Sequence, residues 1–126
     1  MAYEALLRIG NFTAGDDLST AQFKAVCFSG LNVVLCTSVL TAPLGILQNA
    51  PSLAGTAEVA LIGSISKWKS TGTHATGNAM LGVTSGMAFE LTSGTSGQYI
   101  LARLLDNWTS TASGLCTVLI VGPSYI

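Results

Sequence analysis

Short apolar segments rich in Val, Ile, Leu and Thr alternate with glycine, proline and serine along the whole chain. This pattern is typical of short β-strands joined by turns. It predicts eight strands: Gln22–Ser29, Val33–Val39, Leu44–Gln48, Thr56–Ile62, Ser64–Lys69, Met87–Leu91, Gln98–Leu105 and Leu115–Val121. The predicted turns are Ser29–Gly30, Asn49–Gly55, Gly72–Asn78, Ser85–Gly86, Ser93–Gly97 and Ser110–Gly114.

The period of two that marks a strand is clearest just before residue 70. There, Ile65 and Lys67 are predicted to share one face of the strand, and Ser66 and Trp68 the other. A later segment shows the same period. Its predicted inward-facing side chains are Met87, Phe89 and Leu91.

The chain is predicted to form a single all-β domain with little helix. Its 126 residues fit one domain, and no linker or internal repeat divides them. A carboxylate of Asp16–Asp17 is expected to cap one short turn, because it can accept bonds from unpaired backbone N–H groups. The segment Leu101–Asn107 has helical spacing, but Tyr99, Ile100 and the flanking turns favour a strand.

The first thirteen residues differ from the rest, because they carry large apolar side chains before any turn signal. Soluble monomers avoid exposing such a segment. It therefore either adds a strand to the domain's own sheet or docks on a neighbouring protein. We divide the chain into an N-terminal extended arm (residues 1–13) and a single β-domain (residues 14–126). The candidate contact residues of the arm are Tyr3, Leu6, Leu7, Ile9 and Phe12.

The composition narrows the classes of function. Apolar residues make up 49% of the chain and charged residues 9%, and the net charge is −1. Because there is no basic cluster, the sequence predicts no nucleic-acid partner. The mean hydropathy of +0.57 is too high for a disordered chain. A surface with so few charges favours association with other proteins.

A long uncharged run raises the question of a membrane span. No residue between Lys24 and Glu58 is charged, and Val33–Leu47 is mostly apolar. A spanning helix needs about 20 apolar residues, whereas polar residues, Pro43 and Gly45 interrupt this run. Two consecutive buried strands explain the run better, so we predict no membrane partner.

The three cysteines are interpreted as small buried side chains in a reducing cytoplasm. Cys27, Cys36 and Cys116 form no C-x-x-C pair, and their odd number supports neither a disulfide framework nor a zinc site. We therefore predict no metal and no cofactor.

Candidate catalytic groups are few. His74 is the one histidine, in a small polar loop without nearby carboxylates. Ser64 and Lys67 match the Ser-x-x-Lys pattern of some acylating enzymes, but those enzymes place it at the start of a helix, whereas this segment alternates like a strand. We predict that the protein is not an enzyme and has no catalytic residues.

The two tryptophans leave two interpretations open. Trp68 lies between two lysines, and Trp108 precedes a turn rich in Ser and Thr. Either side chain packs in the core, or it is exposed as an interface contact or a platform for a sugar. Both are retained as candidate contact residues.

The order of the segments is itself informative, and its most specific part is the block G-I-L-Q-N-A-P at Gly45–Pro51. The whole series comprises Ala14–Ser19, Gln22–Val26, Val33–Leu35, Pro43–Pro51, Ala57–Gly63, Thr76–Leu81 and Tyr99–Leu105. This series resembles the small head decoration (cement) proteins of tailed bacteriophages, in which a G-[IV]-L-Q-N-x-P block recurs. The resemblance covers about Ala14 to Ile120.

The resemblance implies a compact β-barrel-like or β-tulip domain that forms a homotrimer on the outside of a phage capsid. Such a protein is made in the bacterial host cytoplasm, binds the phage major capsid protein, bridges neighbouring capsid subunits and stabilises the expanded head. Its role is mechanical and needs no chemistry. The alternative is another trimeric virion β-module, such as a tail or fibre component or a glycan-binding head, which would expose Trp68 or Trp108 in a groove.

Overall fold

The computed structural model describes residues 9–38, 41–70, 80–91, 98–105 and 114–125. These residues form ten β-strands and no helix: β1 Ile9–Thr13, β2 Ala25–Ser29, β3 Asn32–Leu35, β4 Gly45–Leu47, β5 Thr56–Ala60, β6 Ile65–Ser70, β7 Met80–Thr84, β8 Met87–Glu90, β9 Tyr99–Leu104 and β10 Gly114–Tyr125. The prediction of a small all-β fold with little helix is confirmed.

The first five strands form one antiparallel sheet in the order β1-β5-β4-β2-β3. The sheet curls, because an isolated parallel bridge joins Ala14, directly after β1, to Val33 of β3 at the opposite edge. The Gly15 amide strengthens this approach by donating to the Val33 carbonyl at 2.7 Å.

The other five strands pair in a closed circuit, β10-β6-β8-β7-β9. Most of its pairings are antiparallel, whereas β6 and β8 meet in parallel through the single pair Ser70 and Ala88. The register between β9 and β10 shifts between Ile120 and Ser124. β10 is the longest of the ten strands and pairs with both β6 and β9.

All eight predicted strands are present, with ends that differ by a few residues. Two further strands are present. β1 lies in the arm, for which a strand added to the domain's own sheet was one of the two alternatives, and β7 was not predicted because a glycine weakens its strand pattern. The turn at Ser85–Gly86 is confirmed, with both residues at positive φ (49° and 77°) as a two-residue hairpin turn requires. Three predicted turns fall mainly outside the described residues: Gly72–Asn78, Ser93–Gly97 and Ser110–Gly114.

The uncharged run contains β2, β3 and β4, of which β4 and the first three residues of β2 are buried on both faces. Ala25, Cys27, Ile46 and Ala60 belong to a core shared with the second sheet. The alternate positions of the same strands face a second core, made of Ala14, Leu18, Ala21, Val26, Val33, Leu47, Ala57 and Val59. A strand buried on both sides is apolar at successive positions. Burial of successive positions in β-strands therefore explains the uncharged run, which is the interpretation that the sequence favoured.

The G-I-L-Q-N-A-P block makes close contacts within the first sheet and a hydrogen bond to the second group of strands. At Gly45, a Cβ atom would collide with the Ala60 carbonyl oxygen on β5. The Gln48 side-chain amide donates to Ser66 Oγ of the second sheet at 2.9 Å. Asn49 closes the following loop, because its side-chain amide donates to the Thr56 carbonyl and its side-chain oxygen accepts from the Glu58 amide. The block is therefore part of the scaffold.

The predicted alternation holds in β6 but only partly in β8. In β6, Ser66 and Trp68 are buried while Ile65 and Lys67 are half-buried. In β8, the prediction that Met87 and Phe89 face inward is wrong. Both are half-buried, and the small Ala88 between them is completely buried where β6 and β8 meet. After the strand, Leu91 is buried as predicted.

The predicted cap of a short turn is confirmed at Asp17, whose Oδ1 accepts a bond from the Ser19 amide at 3.1 Å. The segment that follows contributes Leu18 and Ala21 to the second core. It is held in place by the Leu18 amide, which donates to the Pro51 carbonyl at 2.9 Å.

Candidate interaction surface

The described surface exposes several large apolar side chains: Ile9, Phe28, Leu31, Leu53, Ile62 and Leu105. Three of them lie at or near one end of the first sheet, because antiparallel pairing places the start of β1 beside the end of β5, and the end of β2 beside the start of β4. We call Ile9, Phe28 and Leu31 the apolar end. Leu53 lies in the loop at the opposite end of the sheet, between β4 and β5.

The β2–β3 hairpin presents the most exposed of these side chains. Ser29 pairs with Asn32, so Gly30 and Leu31 form a two-residue turn. Gly30 has φ +63°, the sign that a type II′ turn requires at its first central position. This turn leaves Leu31 93% exposed, next to Phe28 at 51%. Exposure of two such side chains on one hairpin is typical of a contact surface.

A groove of about 450 Å³ lies beside the hairpin. We call it the Phe28 groove, and its lining residues are Phe28, Thr41, Ala42, Pro43, Leu44 and Pro123. Leu44 is held beside β2, because its amide donates to the Val26 carbonyl at 2.8 Å. The Phe28 ring is fixed from the other side by an edge-to-face contact with Phe12 of β1, with ring centroids 5.4 Å apart. The groove is therefore preformed and mainly apolar.

The structure describes two of the five candidate contact residues of the arm, Ile9 and Phe12, and they differ in exposure. Ile9 is exposed and Phe12 is half-buried against the second core. Both lie in β1, which pairs with β5 of the same chain. For Ile9–Thr13 the structure thus has the first of the two alternatives, a strand added to the domain's own sheet. Tyr3, Leu6 and Leu7 lie outside the described residues.

Trp68 is completely buried, so its selection as a contact residue is wrong. Its indole Nε1 donates to the Gly86 carbonyl at 3.0 Å, and the same carbonyl accepts the Ala25 amide at 2.7 Å. The alternation of β6 already placed Trp68 opposite Lys67, and that signal favoured the core. Trp108 lies outside the described residues.

A second groove, of about 340 Å³, combines charge with apolar walls. Its lining residues are Lys24, Lys69, Met87, Gly114 and Leu115. Nearby, the Lys67 ammonium lies 5.6 Å from the centre of the Phe23 ring. Phe23 has φ +63°, an unusual conformation for a bulky residue. The groove is not evident from the sequence, because Lys24 precedes β2 and Lys69 lies far away in the chain, in β6.

The structure describes both residues of the Ser-x-x-Lys match. Ser64 is buried directly before β6, and Lys67 is half-buried on the face of β6 opposite Ser66. Ser66 Oγ donates to the Lys67 carbonyl at 2.9 Å, so this contact involves backbone and not the ammonium. His74 lies outside the described residues.

The three cysteines are free and buried, as predicted. Burial is the main cause that raises the pKa of the Cys36 thiol to about 12, and the neighbouring Cys27 thiol raises it further. A thiol with such a pKa carries almost no thiolate at neutral pH, so it is a poor nucleophile and a poor metal ligand.

The described residues contain neither a candidate metal cluster nor a helix suited to span a membrane. Among them, no cluster of three His, Cys, Asp or Glu side chains is suited to hold a metal ion. The same part of the chain contains no helix of the length and hydrophobicity needed to cross a membrane. Comparison of the chain with models of known protein families and with curated proteins gave no match.

Proposed function

We propose that this protein is a decoration protein that binds the outside of a bacteriophage capsid, bridges neighbouring major capsid subunits and stabilises the expanded head. It acts as a homo-oligomer, a trimer by its resemblance to decoration proteins. The observation that carries the proposal is the exposure of Phe28 and Leu31 on a hairpin beside an apolar groove. The ordered segments described above supply the link to the phage proteins.

The chemistry of the surface fits a mechanical role. Complete burial of an exposed Leu or Phe side chain is worth about 1.5–3 kcal/mol, and few charges need to be desolvated on a chain with only 9% charged residues. Contacts of this size are modest for one subunit. When an oligomer makes them together, their sum gives much tighter binding than any single contact.

The connection between the two groups of strands is consistent with a subunit that must resist mechanical tension. Two hydrogen bonds join the first sheet to the second group of strands: the Gln48 side-chain amide donates to Ser66 Oγ of β6, and the Ala25 amide of β2 donates to the Gly86 carbonyl in the β7–β8 turn. The β2–β3 hairpin is attached to closely packed strands. Because a closely packed protein interior has low compressibility, we expect the hairpin to transmit force with little deformation.

The first test is the composition of virions. Particles of the encoding phage are purified on a density gradient, and their proteins are quantified by mass spectrometry. The proposal expects this chain in a fixed ratio to the major capsid protein. Its absence from intact, DNA-filled particles contradicts the proposal.

The second test measures binding to expanded capsids that lack the protein. Purified chain is added, and the bound copies are counted after sedimentation. We expect the double variant Phe28→Ser, Leu31→Ser to bind at least tenfold more weakly than the unmodified chain. Leu53→Ser, at the opposite end of the sheet, is the matched control and should bind within twofold of the unmodified chain. Equal binding of the double variant and the control refutes the assignment of the hairpin as the capsid contact.

A further inference from the structure

The fold brings the three lysines of the chain to one region, although Lys24 lies far from Lys67 and Lys69 in the sequence. Lys24 and Lys69 line the second groove described above, together with Met87 and Leu115. We call it the lysine groove. Lys67 lies on the same face of β6 as Lys69, two residues or about 6.8 Å along the strand. Three of the five basic side chains of the chain are thus grouped in or beside one groove.

Backbone contacts fix the two lysines that line the groove. The Lys69 amide of β6 donates to the Phe23 carbonyl at 2.9 Å. The Lys24 amide donates to the Ala21 carbonyl at 3.0 Å. Lys24 also lies close to the β7–β8 turn, since a Cβ atom at Gly86 would be 3.1 Å from the Lys24 Cβ. The segment that carries Lys24 is therefore held between β6 and this turn, and the groove is preformed.

The groove combines positive charge with apolar walls. Lys24 and Lys69 are half-buried, whereas lysine side chains in general are mostly exposed. A partly buried ammonium is attracted more strongly to a carboxylate than a fully hydrated one, because the local dielectric constant is lower. Among the described residues that line the groove, none carries a carboxylate, and the side chains of Met87 and Leu115 are apolar. The groove therefore fits a ligand that combines negative charge with an apolar group.

The charge of the whole chain narrows the class of ligand. A surface that binds nucleic acid carries a large positive charge, whereas this chain has a net charge of −1 and only three lysines. A long polyanion would therefore meet few cations here. A short acidic peptide needs only a few, and its apolar side chains can use the apolar walls of the groove.

We propose that the lysine groove binds an extended acidic segment of a partner protein, with carboxylates at Lys24 and Lys69 and an apolar side chain between Met87 and Leu115. Lys67 adds to the positive potential, which steers an acidic segment toward the groove. This surface includes neither Phe28 nor Leu31, so it is separate from the hairpin assigned to the capsid contact.

A library of random twelve-residue peptides identifies ligands of the groove without knowledge of the natural partner. The library is selected on the purified, unmodified full-length chain, and the bound peptides are sequenced. We expect enrichment of peptides in which Asp or Glu lies next to an apolar residue. A selection that enriches no acidic peptide overturns the proposal.

Fluorescence anisotropy then measures the affinity of the most enriched acidic peptide for variants of the chain. Lys24→Gln and Lys69→Gln should each weaken binding about threefold or more, because each removes one ion pair. Lys69→Arg keeps the charge and should restore binding. Arg103→Gln, which removes one exposed positive charge from β9, is the matched control and should bind within about twofold of the unmodified chain. Equal binding by the lysine variants and this control overturns the proposal.

An oligothymidylate of twelve nucleotides tests the other class of anion. If it binds as tightly as the acidic peptide and depends equally on Lys24 and Lys69, the groove accepts anions in general and the proposal is wrong. Circular dichroism confirms that each variant is folded. Phe28 and Leu31 are unchanged in all of these variants, so a peptide that fails to bind leaves the capsid contact standing. Conversely, loss of the capsid contact leaves the lysine groove standing.

Discussion

Replacing Trp68 by Phe should lower the free energy of unfolding by about 2–3 kcal/mol. The hydrogen bond from its indole to the Gly86 carbonyl contributes about 1 kcal/mol. That contribution stays small, because the same carbonyl still accepts the Ala25 amide when the indole is removed. Trp68 is completely buried, so the smaller ring also leaves a void. A void of roughly 40 Å³ at about 24 cal/mol per Å³, together with the lost transfer energy of the missing atoms, accounts for the rest.

Urea unfolding followed by far-ultraviolet circular dichroism measures the effect. Tryptophan fluorescence is unsuitable, since the substitution removes a fluorophore. All samples need the same protein concentration, because association adds to apparent stability. Trp68→Ala should cost more, about 3–5 kcal/mol, whereas Leu31→Ser at an exposed position should stay within about 0.5 kcal/mol. If Trp68→Phe also stays within that limit, the indole makes neither the buried hydrogen bond to Gly86 nor the close packing described above.

Three further substitutions probe separate parts of the fold. Gly45→Ala should destabilise the protein by about 1–3 kcal/mol, since the added methyl group would collide with the Ala60 carbonyl, and an unchanged urea midpoint would contradict this close approach. Because the pKa of the Cys36 thiol is raised from 9.0 to about 12 by folding, the thiol contributes stability that is fully present below pH 9 and is lost as the pH rises toward 12. Cys36→Ala should therefore lose less stability than the unmodified chain between pH 8 and about 11, and parallel urea midpoints would refute the shift. Ser85→Asn should raise stability by about 0.5 kcal/mol, because asparagine tolerates the positive φ of this turn better than serine, and a lower melting temperature would exclude that turn geometry.

The fold class was predictable because it depends on local signals. Strand segments such as Ser64–Lys69 alternate with a period of two, and turns such as Ser85–Gly86 carry the residues that their backbone angles require. The buried strands in the uncharged run were recognised for the same reason. β7 was missed, since a glycine interrupts its apolar pattern and pairing with β8 and β9 is what stabilises it.

The candidate surface was less predictable, because it is assembled from residues distant in the sequence. Phe28, Pro43 and Pro123 line one groove although they come from three parts of the chain. Nothing in the sequence around Phe28 distinguishes it from a core residue of β2. The low charge of the chain favours association with other proteins in general, but it does not predict a surface.

The sequence by itself determined that this chain is an all-β domain with few charges, since periodicity and composition are properties of neighbouring residues. The order of its segments is also the source of the proposed function. Only the tertiary structure decided that Trp68 is core and that Ile9–Thr13 forms a strand of its own sheet. The physical reason is that exposure depends on which strands pair and how the two sheets pack. In β2, the same alternation of apolar residues places Val26 in the core and leaves Phe28 exposed at the end of the sheet.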